Sequence, residues 1–110
     1  MQSQFEILNE ICRIFYQYSN KFDELTYVYR FNPDEEWVGT RLSTFLNKEK
    51  VSFGLSSQNK EAIDDLCSKL HDEMLSHTGG DWRKFILTID ENNEVKTQFI
   101  YEIQSCLDDD

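Results

Sequence analysis

Leu25-Thr26-Tyr27-Val28-Tyr29-Arg30-Phe31 is the stretch that decides the fold. Large side chains at Leu25, Tyr27, Tyr29 and Phe31 alternate with Thr26, Val28 and Arg30, the period-2 signature of a strand. Immediately upstream the period is different. Phe5, Leu8, Ile11, Cys12, Phe15, Tyr18 and Phe22 fall on one face when placed about 100° apart, and Ile7 and Ile14 widen it. That spacing predicts an amphipathic helix over residues 3–21, whose broad apolar face calls for a sheet to cover it. The switch from 3.6 to 2 just before Leu25 therefore marks helix followed by sheet.

Downstream of Phe31, Asn32-Pro33-Asp34-Glu35-Glu36 supplies turn chemistry, with Pro33 fixing φ early in the turn. Residues 37–46 read as a second strand. Asn47-Lys48-Glu49-Lys50 then turns the chain into a third, Val51 to Leu55. Ser56-Ser57-Gln58-Asn59 opens a second helix with Ser57 or Asn59 available as N-cap. Ile63, Leu66, Cys67, Leu70 and Met74 form its core face, and Asp65, Lys69 and Asp72 its solvated side. Gly79-Gly80 stops it by providing a position with positive φ. Trp82 to Ile89 and Val95 to Ile103 are two more strands, joined by Asp90-Glu91-Asn92-Asn93-Glu94 as a hairpin turn. The order α-β-β-β-α-β-β predicts an α+β fold: a largely antiparallel five-stranded sheet with two helices on one face. Residues 1–105 read as a single domain and 106–110 as an acidic tail that frays. Phe15, Leu66, Leu70, Phe85, Leu87 and Phe99 fall on the apolar phase of their elements and are expected in the core.

Composition agrees. Eight Phe, five Tyr and two Trp in 110 residues suffice for a core, and one Pro with four Gly leaves no linker. Twenty-one acidic against 11 basic residues give a formal net charge of −10. Such a field repels nucleic-acid phosphates and anionic lipid headgroups, so neither is an expected partner, and it steers basic proteins into contact. Cys12, Cys67 and Cys106 are odd in number, widely spaced and without a CxxC pair, which fits reduced thiols. The first ten residues lack the basic and apolar regions of a signal peptide, and no stretch approaches the ~20 apolar residues of a membrane span. These features place the chain in the cytoplasm.

Catalytic chemistry finds little footing. His71 and His77 are six residues apart, on different sides of one helix, and read as packing residues: His77 near the apolar face, His71 at its margin. Asp64-Asp65 and Asp72-Glu73 are adjacent pairs pointing about 100° apart, so they read as solvated faces and not as acid/base pairs. Asp108-Asp109-Asp110 reads as a frayed tail. The phosphate-cradling and nucleophile-elbow motifs are absent, so no enzyme, metal or cofactor is expected. The aromatic strands are more informative. If helices cover one sheet face, Val28, Trp37 and Ile100 fall on the open one. Aromatic side chains framed by acids suit a protein interface.

The ending strengthens that reading. A Trp after the second helix, then Phe85-Ile86-Leu87-Thr88-Ile89-Asp90, an Asn-rich turn and Val95-Lys96-Thr97-Gln98-Phe99-Ile100-Tyr101-Glu102, resembles the YezG-type bacterial immunity (antitoxin) family, as does the Tyr27-Val28-Tyr29 strand. The resemblance implies a protein that neutralises a cognate toxin domain, frequently a nuclease. A similar element order occurs in type III secretion chaperones, small acidic dimers that hold an extended effector segment. These usually add a third helix at the end, for which Gln104-Ser105-Cys106-Leu107-Asp108 is too short. The residues expected to hold the partner are Asp34, Glu35, Glu36, Asp90, Glu91 and Glu94 as an acidic rim, with Trp37 and Tyr101 as desolvated anchors. The competing expectation is that Trp37 is core and the acids only solvate the surface.

Overall fold

The computed structural model describes residues 3–18, 21–52 and 54–104. It is an α+β fold with the element order α-β-β-β-α-β-β. It divides into two compact units: a helical unit, Met1–Lys21 with Phe53–Asp81, and a sheet unit, Phe22–Ser52 with Trp82–Asp110.

In the helical unit, α1 spans Gln4–Tyr16. Ser3 caps it: the Ser3 hydroxyl accepts from the Glu6 amide at 3.3 Å and donates to the Glu6 carboxylate at 3.4 Å. Ile7, Ile11 and Phe15, spaced four apart, are its buried stripe. The sequence spread the apolar face further than this. Phe5 is 68% exposed, because it lies more than a quarter-turn from the Ile7–Ile11–Phe15 line. The helix also ends at Tyr16, five residues short of the expected boundary. Beyond it the Tyr18 hydroxyl accepts from Asn59 Nδ2 at 2.8 Å, tying the end of α1 to the first turn of α2.

The second helix, α2, spans Ser57–Thr78 and packs on α1. Its N-cap is Ser56, one residue before the earliest expected candidate, with its hydroxyl accepting from the Asn59 amide. Ile63, Leu66, Cys67 and Leu70 are buried, and Met74 is half-buried. Gly79 takes φ +71°. Its N–H reaches the Leu75 carbonyl while Gly80 N–H reaches that of Met74, the paired closure expected of a glycine stop.

The sheet unit contains β1 (Glu24–Asn32), β2 (Trp37–Leu46), β3 (Glu49–Val51), β4 (Lys84–Ile89) and β5 (Val95–Ile100), in the order β3-β2-β1-β4-β5. Each pairing is antiparallel. β1, β2 and β3 form the expected meander, β4 and β5 the expected hairpin, and β1 joins the two beside β4. The bounds of β3, β4 and β5 differ from expectation, and β3 spans Glu49–Val51 instead of Val51–Leu55. β3 begins at Glu49 because Asn47 and Lys48, both at positive φ (54° and 68°), complete a two-residue turn by themselves. β4 begins at Lys84 because Arg83 donates to Ile100 O and accepts from Phe31 N. Its N–H and C=O thus serve opposite neighbours, which breaks strand alternation. β5 stops at Ile100, leaving Tyr101 and Ile103 outside the strand and exposed.

One sheet face carries the core. Leu25, Tyr27, Tyr29, Phe85, Leu87 and Ile89 are buried on it, and fully buried Trp82 contacts Tyr29, Phe31, Phe85 and Phe99 at ring-centroid distances of 5.7–6.1 Å. Of the six expected core residues, Phe15, Leu66, Leu70, Phe85 and Leu87 are buried. Phe99 is only half-buried, because it stands on the edge strand, although it stacks on Phe85 at 5.2 Å.

Candidate protein-binding site

At the end of β1, Asn32 organises a turn. It is 4% exposed, and its Oδ1 accepts from the amides of Asp34 (3.0 Å) and Glu35 (3.1 Å), an Asx turn across Pro33. Its Nδ2 donates to Glu35 Oε1 (3.2 Å) and to the Gln104 carbonyl (3.0 Å). Glu35 Oε1 also accepts from Trp37 Nε1 at 3.0 Å. Glu35 is therefore spent on holding the turn, and Asp34 and Glu36 are left to project from it. Glu36 takes φ +58°, a left-handed conformation unusual for its side chain.

The Asn32–Gln104 bond brings the segment after β5 to this same end of the sheet. Tyr101 (56% exposed) and Ile103 (72%) stand there with exposed Glu102, and Val38 (58%) lies opposite Phe31 on the β1–β2 ladder. This end of the sheet thus carries exposed Tyr101, Ile103 and Val38 as well as Asp34, Glu36 and Glu102. Exposed apolar groups framed by charge are features of protein interfaces. Asn32, Val38, Ile103 and Gln104 were missed from the sequence. Asn before Pro-Asp was the available signal for the first, and the others depend on how β5 ends.

Asp90, Glu91 and Glu94 stand elsewhere. Leu25 pairs with Ile89 and Arg30 with Lys84, so the β4–β5 turn lies at the opposite end of the sheet from Asn32. The length of nine-residue β1, about 30 Å at ~3.3 Å per residue, separates the two turns. The six acids therefore form two groups and not one rim. Asp90 is occupied within its own turn. Its Oδ1 accepts from the Asn92 and Glu94 amides, both at 2.9 Å, and its N–H donates to the Glu94 carbonyl. The hydrogen bond from Glu94 is the main cause holding the Asp90 carboxyl below its ordinary value.

Trp37 is half-buried, on the second sheet face, and that face carries the opposite charge from the one expected to frame it. Cross-strand register places Arg30 beside Lys84, Arg41 beside Val28, Lys96 beside Thr88 and Lys50 beside Phe45, with Glu24 the one acid among these strand positions. The Arg30 guanidinium lies 5.3 Å from the Trp37 ring centroid, a cation–π contact. Val28, expected on an open face, is buried (7% exposed) between its cross-strand neighbours Arg41 and Ile86, and Ile100 is half-buried.

The two histidines exchange their expected roles. His71 is the enclosed one, with Nε2 2.7 Å from Asp81 Oδ1 and Nδ1 3.7 Å from Asp72 Oδ1. His77 is the exposed one, paired with Glu73 one turn earlier at 3.2 Å. Cys67 is buried, and burial pushes the Cys12 thiol up from its ordinary value, away from thiolate chemistry. Among the described residues, no three His, Cys, Asp or Glu are grouped to hold a metal ion, and no helix is long and apolar enough to cross a membrane. Cys106 and the Asp108–Asp110 run lie outside the described residues.

No protein-family model matches this chain, and no curated protein is significantly similar to it.

Proposed function

We propose that this chain is an immunity protein that binds and neutralises a cognate bacterial toxin domain with a basic surface, a nuclease being the toxin class that such a charge suits, and that it acts in the cytoplasm. The observation that carries the reading is the Asn32 turn. Asp34 and Glu36 are presented on a turn held by four Asn32 hydrogen bonds, at the same end of the sheet as exposed Tyr101, Ile103 and Val38. A pre-ordered turn avoids part of the entropy cost of binding. Its carboxylates would steer a basic partner, and the neighbouring apolar groups supply anchors. The net charge of −10 and the likeness of the closing hairpin to YezG-type immunity proteins support the same reading.

The test begins with the reading frame immediately upstream. Its C-terminal domain, expressed alone, should arrest growth, and co-expression of this chain should restore it. Failure to restore growth removes the proposal. Binding kinetics then locate the surface. Reversing Asp34 and Glu36 to Lys should slow association several-fold at low salt, an effect that fades as salt rises. Tyr101→Ala should speed dissociation, at a cost of ~2 kcal/mol. Glu35 is left unchanged because it holds Asn32 and Trp37.

A further inference from the structure

We propose that β5 is a self-association edge: two copies of this chain join β5 to β5 in antiparallel fashion about Thr97, continuing one sheet into the other. Among the described residues, β5 pairs with β4 alone, so one side of the strand from Val95 to Ile100 has no neighbour. Asp90 N–H bonds Glu94 O, and Phe31 N–H bonds Arg83 O on the far side of β4. Alternation from these two bonds turns the backbone groups of Lys96 and Gln98 toward β4, and those of Val95, Thr97 and Phe99 outward.

Natural edges are usually blunted by proline, inward-pointing charge, bulges or shortness. Val-Lys-Thr-Gln-Phe-Ile has no proline and no glycine, and its one charge, Lys96, points to the second face. The sheet's other edge is different. β3 is three residues long and occupies the side of β2 at Thr44–Leu46, and the rest of that β2 edge, Trp37–Ser43, contains Gly39, which weakens a strand. β5 offers a line without glycine.

The register favours a second copy as the occupant. With Thr97 opposite Thr97, Val95 of each copy falls opposite Phe99 of the other, covering a valine that is 41% exposed and a half-buried phenylalanine. Lys96 falls opposite Gln98, so no like charges meet. Glu94 of one copy falls opposite Ile100 of the other, in the row that continues to Lys84 and Arg30. The acidic turn of each copy thus meets the basic sheet face of its partner. Two chains of net charge −10 nonetheless repel at long range, and a six-residue ladder is a small interface. The dimer is therefore expected to be weak and to tighten as salt screens the repulsion.

Sedimentation velocity of the full chain over a dilution series tests this. The wild-type mass should rise from 13.1 kDa toward twice that value with concentration, and rise further with added salt. Thr97→Lys places like charges at the twofold axis on an exposed position, and Thr97→Glu does the same with the opposite sign. Each alone should stay a monomer with unchanged circular dichroism, and an equimolar mixture should recover the dimer. A wild-type chain that remains 13.1 kDa throughout overturns the proposal. So does a Thr97→Lys variant that dimerises like wild type, which would put the interface elsewhere.

Discussion

Asn32 Nδ2 donates to the Gln104 carbonyl at 3.0 Å, across 72 positions of sequence, and this bond fixes the segment after β5 beside the β1–β2 turn. The same side chain receives two amides of its own turn and bonds Glu35, so its loss leaves several polar groups without partners in a largely buried place. Asn32→Ala should cost about 1–3 kcal/mol in urea unfolding. Asn32→Asp keeps the acceptor but loses both donated bonds and sets a carboxylate against Glu35, so it should rescue little. Hydrogen exchange should quicken at residues 101–104 in both variants, and unchanged exchange there would mean that the tether is immaterial.

Glu36 at φ +58° and Lys48 at φ +68° hold long charged side chains on left-handed backbone in two different turns. Glycine adopts this conformation without the Cβ clash. Glu36→Gly and Lys48→Gly should each stabilise the fold by about 0.5–1 kcal/mol, and the double variant by the sum, because the turns are at opposite ends of the β1–β2 ladder. Thermal unfolding checks both. If Glu36→Gly stabilises the chain while weakening toxin binding, the strain belongs to the binding turn.

Trp82 and Phe5 test the core from two sides. Trp82 is fully buried among four aromatic rings, so Trp82→Ala should cost about 3–5 kcal/mol, comparable with the 2–5 expected for Leu70→Ala. Phe5 shares α1's apolar run yet is exposed, and Phe5→Ala should change stability by less than about 0.5 kcal/mol. A large loss at Phe5 would contradict its placement.

Local sequence rules carried far in this chain, and failed where long-range pairing decides. The alternation from Leu25 to Phe31, the Asn-Pro-Asp turn and the Gly79-Gly80 stop act within a few residues, and each element they announced is present. Which turns share an end of the sheet depends on β1 lying antiparallel to β4, a contact across some 60 positions, and this separated Asp90, Glu91 and Glu94 from Asp34 and Glu36. Net charge misled in a similar way. A sum of −10 says nothing about Arg30, Arg41, Lys84 and Lys96 sharing one face, because cross-strand register gathers them. Tyr101 looked like part of the last strand because the period-2 pattern continues past Ile100, where the bond from Arg83 and the pull of Asn32 on Gln104 end it.

Asp90 gives the β4–β5 turn a pH dependence of definite sign. Its carboxyl is held below the ordinary 3.8, chiefly by the Glu94 amide, with the Asn92 amide and the charge of Lys96 helping. A carboxyl depressed in the folded state contributes stability that is fully present above its unfolded value, about 3.9, and is lost as pH falls through the lower folded value. The turn should therefore be insensitive to pH from neutrality down to about pH 4 and loosen below it, with the Asn92 and Glu94 amides exchanging faster. Asp90→Asn keeps an oxygen acceptor for those amides and removes the titrating group. Its hairpin should hold with weaker bonds and lose the acid transition, while acid unfolding elsewhere stays as in wild type. Amide shifts of Asn92 and Glu94 followed by NMR across this range decide the point: a titration midpoint at or above the ordinary value would mean that the Asp90–Glu94 bond does not persist in solution.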